Sequence, residues 1–170
     1  SEHSITRVYY ALVWGKIRPR NGKIETLIAR SSKNRQMMEV SFKKGKRAVT
    51  NYKTLEVYET KKIPTFSLVE CKLETGRTHQ IRVHLSHKNF PLIGDTLYGF
   101  KKNSFSKFPK IFDSIVTDFG QYLHAYSLSF YDPQSNEIRE YQAKYPEEYQ
   151  ILLDLSLIHI TEPTRPYLIS

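Results

Sequence analysis

The sequence has almost no cysteine and no long apolar run, and each scarcity excludes a class of protein. Cys71 is the one cysteine among 170 residues, so the chain cannot form an internal disulfide and we expect a reducing compartment. No hydrophobic stretch is long enough to cross a bilayer, and none has the form of a secretory signal. Together these features predict a cytoplasmic protein that does not enter a membrane.

Acidic residues are also scarce relative to basic ones. Lysine and arginine number 26 against 17 aspartates and glutamates, which gives a formal net charge of +9. Such an excess favours a polyanionic partner, nucleic acid first. The candidates for contacts with RNA phosphates lie in predicted turns: Lys16, Arg18, Arg20, Lys43, Lys44, Lys46 and Arg47. Charged turns also keep a sheet in solution, so any one cluster has this plainer interpretation.

Strand-forming residues are abundant, particularly in the first half. Residues 6–17 are apolar on both alternating faces, which predicts a strand buried on both sides. The Asn-Gly pair at 21–22 predicts a hairpin to a return strand, and the turn at 43–46 predicts a second hairpin. Further strands are expected at 65–74 and on either side of the turn DPQSN at 132–136. The predicted fold class is α+β, a mostly antiparallel sheet with a few helices whose first half is a meander.

Two segments have helical periodicity. Within 77–88 the apolar and polar side chains separate onto different sides of a helix, and Thr78 is placed to cap its N-terminus. Pro146 with two following glutamates predicts a second helix that ends near Asp154. Residues 155–170 change character abruptly and resemble a translated sequencing adapter, so we expect them to lie outside a single domain of residues 1–154.

The segment LETGRTHQIRVHLSHKNFPLIGDTLYG, at 73–99, concentrates side chains that could carry chemistry. Its histidines, at 79, 84 and 87, lack the i, i+4 spacing of a helical zinc pair, and one cysteine cannot complete a structural zinc site. We therefore expect no metal. Spacing does not exclude a Ser–His–Asp triad, although no nucleophile-elbow sequence supports one. The residues alone indicate a basic domain that binds RNA or DNA, with an arginine able to orient a carboxylate.

Four motifs, in order over residues 6–154, together resemble the RluA-type RNA pseudouridine synthases. The segment 73–99 is similar to the signature TGR-x-HQ-[IL]-R-x-H followed by P-[IL]-x-GD and a tyrosine. YYALVWG at 9–15 is similar to the Y-x-A-x-V-x-G strand, YLHAYSLSFYDP at 122–133 to the L-H-A strand, and YPEEYQILL at 145–153 to the closing helix. The resemblance implies a synthase-like fold and isomerisation of uridine to pseudouridine in ribosomal or transfer RNA. It also implies a reaction that needs no cofactor and no metal, and we expect a monomer.

The resemblance further implies roles for individual residues. Tyr9 matches the tyrosine that lies against the uracil, Arg82 the arginine that pairs with the catalytic aspartate, and Leu123 an apolar wall of the pocket. In the plainer interpretation these are a core tyrosine, an exposed helix arginine and a packed leucine. The residues expected to order the pocket lie at the turn into the helix: Arg77, Thr78, His79 and Gln80. We expect His84 and His124 to be structural histidines.

One family element is missing from the sequence. The resemblance places the nucleophilic aspartate in an H-R-L-D segment upstream of the tyrosine strand, and no such segment occurs here. Asp95 is not expected to replace it, because the family's GD pair forms a structural turn. We expect the C-terminal part of a catalytic domain, with Arg82 lacking its carboxylate partner, and an S4-like domain can precede this part in the family. The alternative is a non-catalytic RNA-binding module with the same fold.

Overall fold

The computed structural model describes residues 5–59, 63–99 and 120–157. These residues form one sheet of seven strands and two helices. The elements in chain order are β1 Thr6–Trp14, β2 Asn21–Arg30, β3 Met38–Ser41, β4 Lys46–Tyr58, β5 Phe66–Leu73, α1 Gln80–His87, β6 Leu123–Asp132, β7 Glu137–Gln142 and α2 Glu147–Leu157. The sheet order is β3-β2-β4-β5-β1-β6-β7, and every pairing is antiparallel. This confirms the α+β fold class.

The two faces of β1 are buried against different helices. Ala11 packs in one core cluster with Ile81 of α1, whereas Leu12 packs in another with Leu152 of α2. Because β1 also lies between β5 and β6, it is surrounded on all sides. The prediction of a strand buried on both faces is therefore confirmed, and α1 and α2 cover opposite faces of the sheet.

The predicted meander is wrong, because β1 pairs with β5 and β6 and β2 pairs with β3 and β4. Asn21 and Gly22 do not form a turn; they already belong to β2, opposite Lys53 and Tyr52. A Cβ on Gly22 would lie 2.9 Å from the hydroxyl oxygen of Tyr52. Glycine at this position therefore leaves room for the ring of Tyr52 on the adjacent strand, and it does not form a turn.

The turn at 43–46 likewise joins strands that are not neighbours. β3 and β4 pair with opposite sides of β2, so the chain crosses over β2 between them. Gly45 lies at this crossing with φ +111°, and a Cβ there would collide with the carbonyl oxygen of Ile28. Glycine is required by both the backbone conformation and the close approach. The hairpin predicted through 132–136 is confirmed, with Asp132 as the last residue of β6, paired with Glu137 of β7.

α1 is capped differently from the prediction. His79 occupies the N-cap position in the left-handed conformation, with φ 56° and no capping hydrogen bond from its side chain. The amide oxygen of Gln80 instead accepts hydrogen bonds from the backbone N–H of Arg77 at 3.0 Å and from the Thr75 hydroxyl at 2.7 Å. Thr78 therefore does not cap the helix, because the first helical side chain ties the turn together.

α2 continues to Leu157, past the end predicted at Asp154. The remainder of the predicted tail, residues 158–170, lies outside the described residues. Neither of the two helices in the described ranges combines the length and apolar character that crossing a bilayer demands.

Candidate functional site

β1 and β6 carry two of the predicted site residues to the same face of the sheet. Ala11 pairs with Leu123 and Tyr9 pairs with Ala125, so Tyr9 and Leu123 are diagonal neighbours. Side chains in such positions lie roughly 7–8 Å apart. Both are half-buried and pack against the core cluster that lies beneath α1.

α1 brings the third predicted residue to this side of the sheet. Ile81 and Leu85 belong to the same core cluster as the surroundings of Tyr9 and Leu123. Arg82 follows Ile81 and extends from α1 toward the loop at 95–98, where its guanidinium meets Asp95. The two strands and α1 thus share one core cluster on this face of the sheet, while the guanidinium of Arg82 lies at the loop that contains Asp95.

Arg82 and Asp95 form a bidentate ion pair. Arg82 Nε donates to Asp95 Oδ2 at 2.8 Å and Arg82 Nη2 donates to Oδ1 at 2.9 Å. Burial acts to raise the pKa of Asp95, but the hydrogen bonds from Arg82 and from the following backbone hold it below its ordinary value. The same side-chain hydrogen bond raises the pKa of Arg82. The prediction that Arg82 lacks a carboxylate partner in this chain is therefore wrong.

Asp95 also fixes the loop that contains it. Its Oδ1 accepts hydrogen bonds from the backbone N–H groups of Leu97 and Tyr98, each at 3.0 Å. The guanidinium carbon of Arg82 lies 5.0 Å from the centroid of the Tyr98 ring, within cation–π distance. The GD pair is thus a structural turn, as the resemblance implied, and its aspartate positions Arg82 as well.

His79 connects the turn before α1 to the same loop. Its Nδ1 lies 2.7 Å from the Tyr98 hydroxyl oxygen, which also accepts the backbone N–H of Met38 at 2.8 Å. Burial lowers the pKa of His79, and the charge of Arg82 lowers it further. A neutral imidazole suits this position, because a second cation there would repel the guanidinium.

A second polar group lies beneath α1, against β2 and β4. Gln80 Nε2 donates to the carbonyl oxygen of Val49 and to Thr50 Oγ1, both at 3.0 Å. His84 lies between two threonine hydroxyls, with Nδ1 2.8 Å from Thr50 Oγ1 and Nε2 2.8 Å from Thr26 Oγ1. Burial lowers the pKa of His84 to about 4. Both ring nitrogens are satisfied, as expected of a structural histidine.

The other two residues of the turn into α1 differ in their contacts. Arg77 Nε donates to the carbonyl oxygen of Arg47 at 2.8 Å, which ties the turn to the start of β4. Thr78 is exposed, and no residue in the described ranges hydrogen-bonds to its hydroxyl. Of the four predicted pocket-ordering residues, Arg77, His79 and Gln80 therefore have contacts that stiffen this turn.

Arg7 is a basic residue of this region that the sequence analysis did not single out. A Cβ on Gly76 would lie 2.9 Å from Arg7 Nη1, so the guanidinium lies against the turn into α1. The signal was available, because the two-residue period of β1 places Arg7 on the face of Tyr9.

The predicted RNA-contact residues divide between the two ends of the sheet. One group precedes the start of β2, and the other lies where β2 ends beside the start of β4: first Lys16, Arg18 and Arg20, then Lys43, Lys44, Lys46 and Arg47. The length of β2, at about 3.3 Å per residue, separates them by roughly 25 Å. The second group shares its end of the sheet with the turn into α1, because Arg47 accepts the hydrogen bond from Arg77.

Comparison with known proteins identifies the family. The family model described as RNA pseudouridylate synthase matches residues 1–87. The Uncharacterized RNA pseudouridine synthase YlyB of Bacillus subtilis is 42% identical over 152 residues, which cover 89% of this chain and 44% of that protein. The Ribosomal large subunit pseudouridine synthase D of Neisseria meningitidis is 43% identical over 156 residues, which cover 91% of this chain and 39% of that protein.

Solved structures agree with the sequence matches. Human RNA Pseudouridylate Synthase Domain Containing 1 superposes with a TM-score of 0.68 at 28% identity, over 89% of this chain and 58% of that one. The human Domain Containing 4 protein, at 21% identity and a TM-score of 0.61, supports the fold. This chain therefore belongs to the RNA pseudouridine synthase family, of the RluA type. It spans less than half the length of the two bacterial relatives.

Proposed function

We propose that the protein containing this chain isomerises uridine to pseudouridine in RNA, with ribosomal RNA as the first candidate substrate. The observation that supports this proposal most directly is the placement of Tyr9 and Leu123, which are half-buried diagonal neighbours against the core cluster to which α1 also contributes. Family membership supports the reaction, and the name of the Neisseria relative supports the choice of ribosomal RNA.

In the proposed reaction the N1–C1′ bond of uridine breaks, the uracil rotates and C5 bonds to C1′. C5 then loses its proton and N1 takes up a proton, so that the product is an isomer of the substrate. The target base must leave its stack to enter a pocket. Tyr9 lies against the uracil and assists the removal of the C5 proton, and Leu123 closes the pocket with an apolar wall. Neither step calls for a cofactor or a metal in this proposal.

Arg82 orients the nucleophilic carboxylate, which the H-R-L-D segment of the longer protein supplies. The ion pair with Asp95 is compatible with this role. A guanidinium has five N–H donors. Two of those on Arg82 donate to Asp95, so the others remain for a second carboxylate. Asp95 thereby acts as a positioning residue that holds the arginine in one orientation.

The experiment compares three versions of the protein: this chain alone, the full-length protein, and the full-length protein with Arg82→Lys. Pseudouridine formed in ribosomal RNA is measured by mass spectrometry. We expect none from the chain alone, which lacks the H-R-L-D segment, and full activity from the second version. Arg82→Lys keeps the charge but loses the forked geometry, so its activity should fall at least about a hundredfold.

Arg35→Lys provides the control, because Arg35 is exposed and lies outside the site. Thermal unfolding of both variants shows whether they fold. Activity from the chain alone would refute the proposal that it is an incomplete catalytic unit. If the full-length protein contains H-R-L-D and still forms no pseudouridine, the non-catalytic RNA-binding module is the better description.

A further inference from the structure

A cavity of about 340 Å³ opens beside Tyr9, between β1, β6 and β7. This volume lies within the range of small-molecule sites, about 300–1,000 Å³. Side chains and backbone of six residues form most of its lining: Arg7, Tyr9, Tyr126, Leu128, Tyr141 and Gln142. Tyr9 is the one member of this lining that has a place in the proposed reaction.

The cavity arises from a bulge in β6. Val8 pairs with Ser127 and Tyr9 pairs with Ala125, so Tyr126 is an extra residue between them. The Tyr126 ring stacks on Tyr10, with centroids 4.2 Å apart and an interplanar angle of 8°. Tyr10 packs against the core cluster on the α2 face, away from Tyr9. With the extra ring turned away and an alanine opposite Tyr9, space remains on the α1 face.

Three side chains form a row across this face. Leu128 of β6 pairs with Arg7 of β1 on one side and with Tyr141 of β7 on the other. Directly paired residues point to the same face of a sheet. The row therefore presents a guanidinium at one end, an aliphatic surface in the middle and a phenol ring at the other end.

Arg7 is the cation of the row. Within the described residues, Arg82 and Arg139 each have a carboxylate at ion-pairing distance, whereas no carboxylate lies that close to Arg7. Its guanidinium is exposed and lies against the turn at Gly76. An arginine without an internal anion, in a chain of net charge +9, is suited to bind an external phosphate with two parallel hydrogen bonds.

Tyr141 supplies the flat surface of the row. The residue is 56% exposed, and its ring stacks on Phe130 with centroids 6.0 Å apart and an interplanar angle of 14°. This second ring holds Tyr141 in place and leaves its other surface open. An exposed aromatic ring near an arginine is the combination with which proteins bind unstacked nucleotides.

We infer that this cavity binds the RNA nucleotide next to the target uridine, with Arg7 on its phosphate and Tyr141 stacked on its base. The inference rests on the proposed function, because Tyr9 marks where the target base lies. When the target base leaves its stack, the neighbouring base loses a stacking partner, and Tyr141 replaces that partner. The adjacency of the two sites follows from Tyr9 lining both.

The test measures binding of the full-length protein to a short single-stranded RNA with one uridine at its centre, by fluorescence anisotropy over a range of salt. Tyr141→Ala should weaken binding about tenfold without changing the salt dependence. Arg7→Gln should weaken binding and reduce the slope of log K against log salt by about 0.7, the value for one phosphate on a single strand. Lys53→Gln, at an exposed strand lysine far from the cavity, removes the same charge and should bind nearly as the parent does.

A second RNA, in which the nucleotide beside the uridine lacks its base, identifies the stacking contact. The parent should bind this RNA about tenfold more weakly, and Tyr141→Ala should not distinguish the two RNAs. The inference would be overturned if Arg7→Gln and Lys53→Gln lost equal RNA affinity. It would also be overturned if Tyr141→Ala still bound the RNA with the missing base more weakly than the intact RNA. Displacement of the RNA by polyglutamate at equal charge, which would indicate a site for acidic peptides, would overturn it as well.

Failure of this inference can be separated from failure of the proposed function. If Tyr141→Ala forms pseudouridine and binds RNA as tightly as the parent, the neighbouring-nucleotide site is refuted while the proposed enzymatic function stands. If the full-length protein forms no pseudouridine in RNA, the proposed function fails. The position assigned to the neighbouring nucleotide then fails with it, because that position is defined relative to the target uridine.

Discussion

Asp95 holds Arg82 from one side, through hydrogen bonds of 2.8 Å to Nε and 2.9 Å to Nη2. The same carboxylate accepts two backbone N–H groups of its own loop. One buried anion thus fixes both the arginine that extends from α1 and the loop that follows the helix. The orientation of Arg82 is therefore set by residues of this chain before any substrate or nucleophile is present.

Asp95→Asn should destabilise the fold strongly. The side chain of Asp95 is 0% exposed and that of Arg82 13%, so the substitution leaves a largely buried guanidinium without its anion. We expect a loss of about 3 kcal/mol in the free energy of unfolding, measured by urea denaturation. Glu25→Gln breaks the ion pair with Arg47, in which the Arg47 side chain is 58% exposed and that of Glu25 48%. This substitution should lower the free energy of unfolding by less than about 1 kcal/mol. Equal losses would contradict the buried character of the Arg82 pair.

His84 should make the fold sensitive to mild acid. Burial lowers its pKa from 6.5 to about 4, so the folded protein keeps the ring neutral while the unfolded chain takes up a proton. Stability is complete above pH 6.5 and decreases as the pH falls from there toward 4, by a total of about 3 kcal/mol. Chemical denaturation at a series of pH values measures this slope.

His84→Gln tests the assignment of that slope. The variant should be less stable than the parent at neutral pH, because the hydroxyls of Thr26 and Thr50 lose their ring partner. Its stability should nevertheless change less between pH 6.5 and 4 than that of the parent. An unchanged slope in His84→Gln would assign the acid sensitivity to other groups.

The two basic groups should contribute unequally to RNA binding. Replacing Lys43, Lys44 and Lys46 with glutamine should lower the slope of log K against log salt by about 2, at about 0.7 per phosphate contact. This group lies at the end of the sheet that contains the turn into α1. Replacing Lys16, Arg18 and Arg20 removes the same charge at the other end and should change the slope less. The reverse order would place the RNA at the opposite end of the sheet.

Gly45 and Gly120 allow strain and steric collision to be separated. Both have positive φ, +111° and +86°. A Cβ at Gly45 would collide with the Ile28 carbonyl, whereas none of the described residues other than its chain neighbours comes within 4 Å of a Cβ at Gly120. Gly120→Ala should cost about 1 kcal/mol from the backbone conformation alone. Gly45→Ala should cost at least about 2 kcal/mol more, because the crossing over β2 must move. Thermal unfolding measures both, and similar losses would contradict the close approach.

Local patterns in the sequence predicted the strands well and their partners poorly. The alternation in residues 6–17 correctly indicated a strand buried on both faces, since burial depends on side chains within the strand. Pairing depends on residues elsewhere in the chain. Gly22, for example, is required by the ring of Tyr52, and this requirement is visible only when β2 and β4 are placed side by side.

The resemblance named Tyr9, Arg82 and Leu123 as site residues, and these roles stay predictions. The sheet register makes Tyr9 and Leu123 diagonal neighbours, which the resemblance alone did not indicate. The resemblance assigned Arg82 to a carboxylate of the missing segment, so it did not predict the ion pair with Asp95. The five N–H donors of one guanidinium can bind both Asp95 and a second carboxylate. The spacing of residues in the sequence does not reveal this.

The position of β1 between β5 and β6 has a consequence for how the protein is made. Among the seven strands described here a ribosome releases β1 before the others, but its partners, Phe66–Leu73 and Leu123–Asp132, emerge much later. Until then β1 lacks the two strands that cover its edges in the folded sheet. The sheet can assemble β2, β3, β4 and β5 in order of synthesis, but it completes the pairing of β1 only after β6 has emerged. Newly made chains should therefore depend on chaperones that shield this segment during translation.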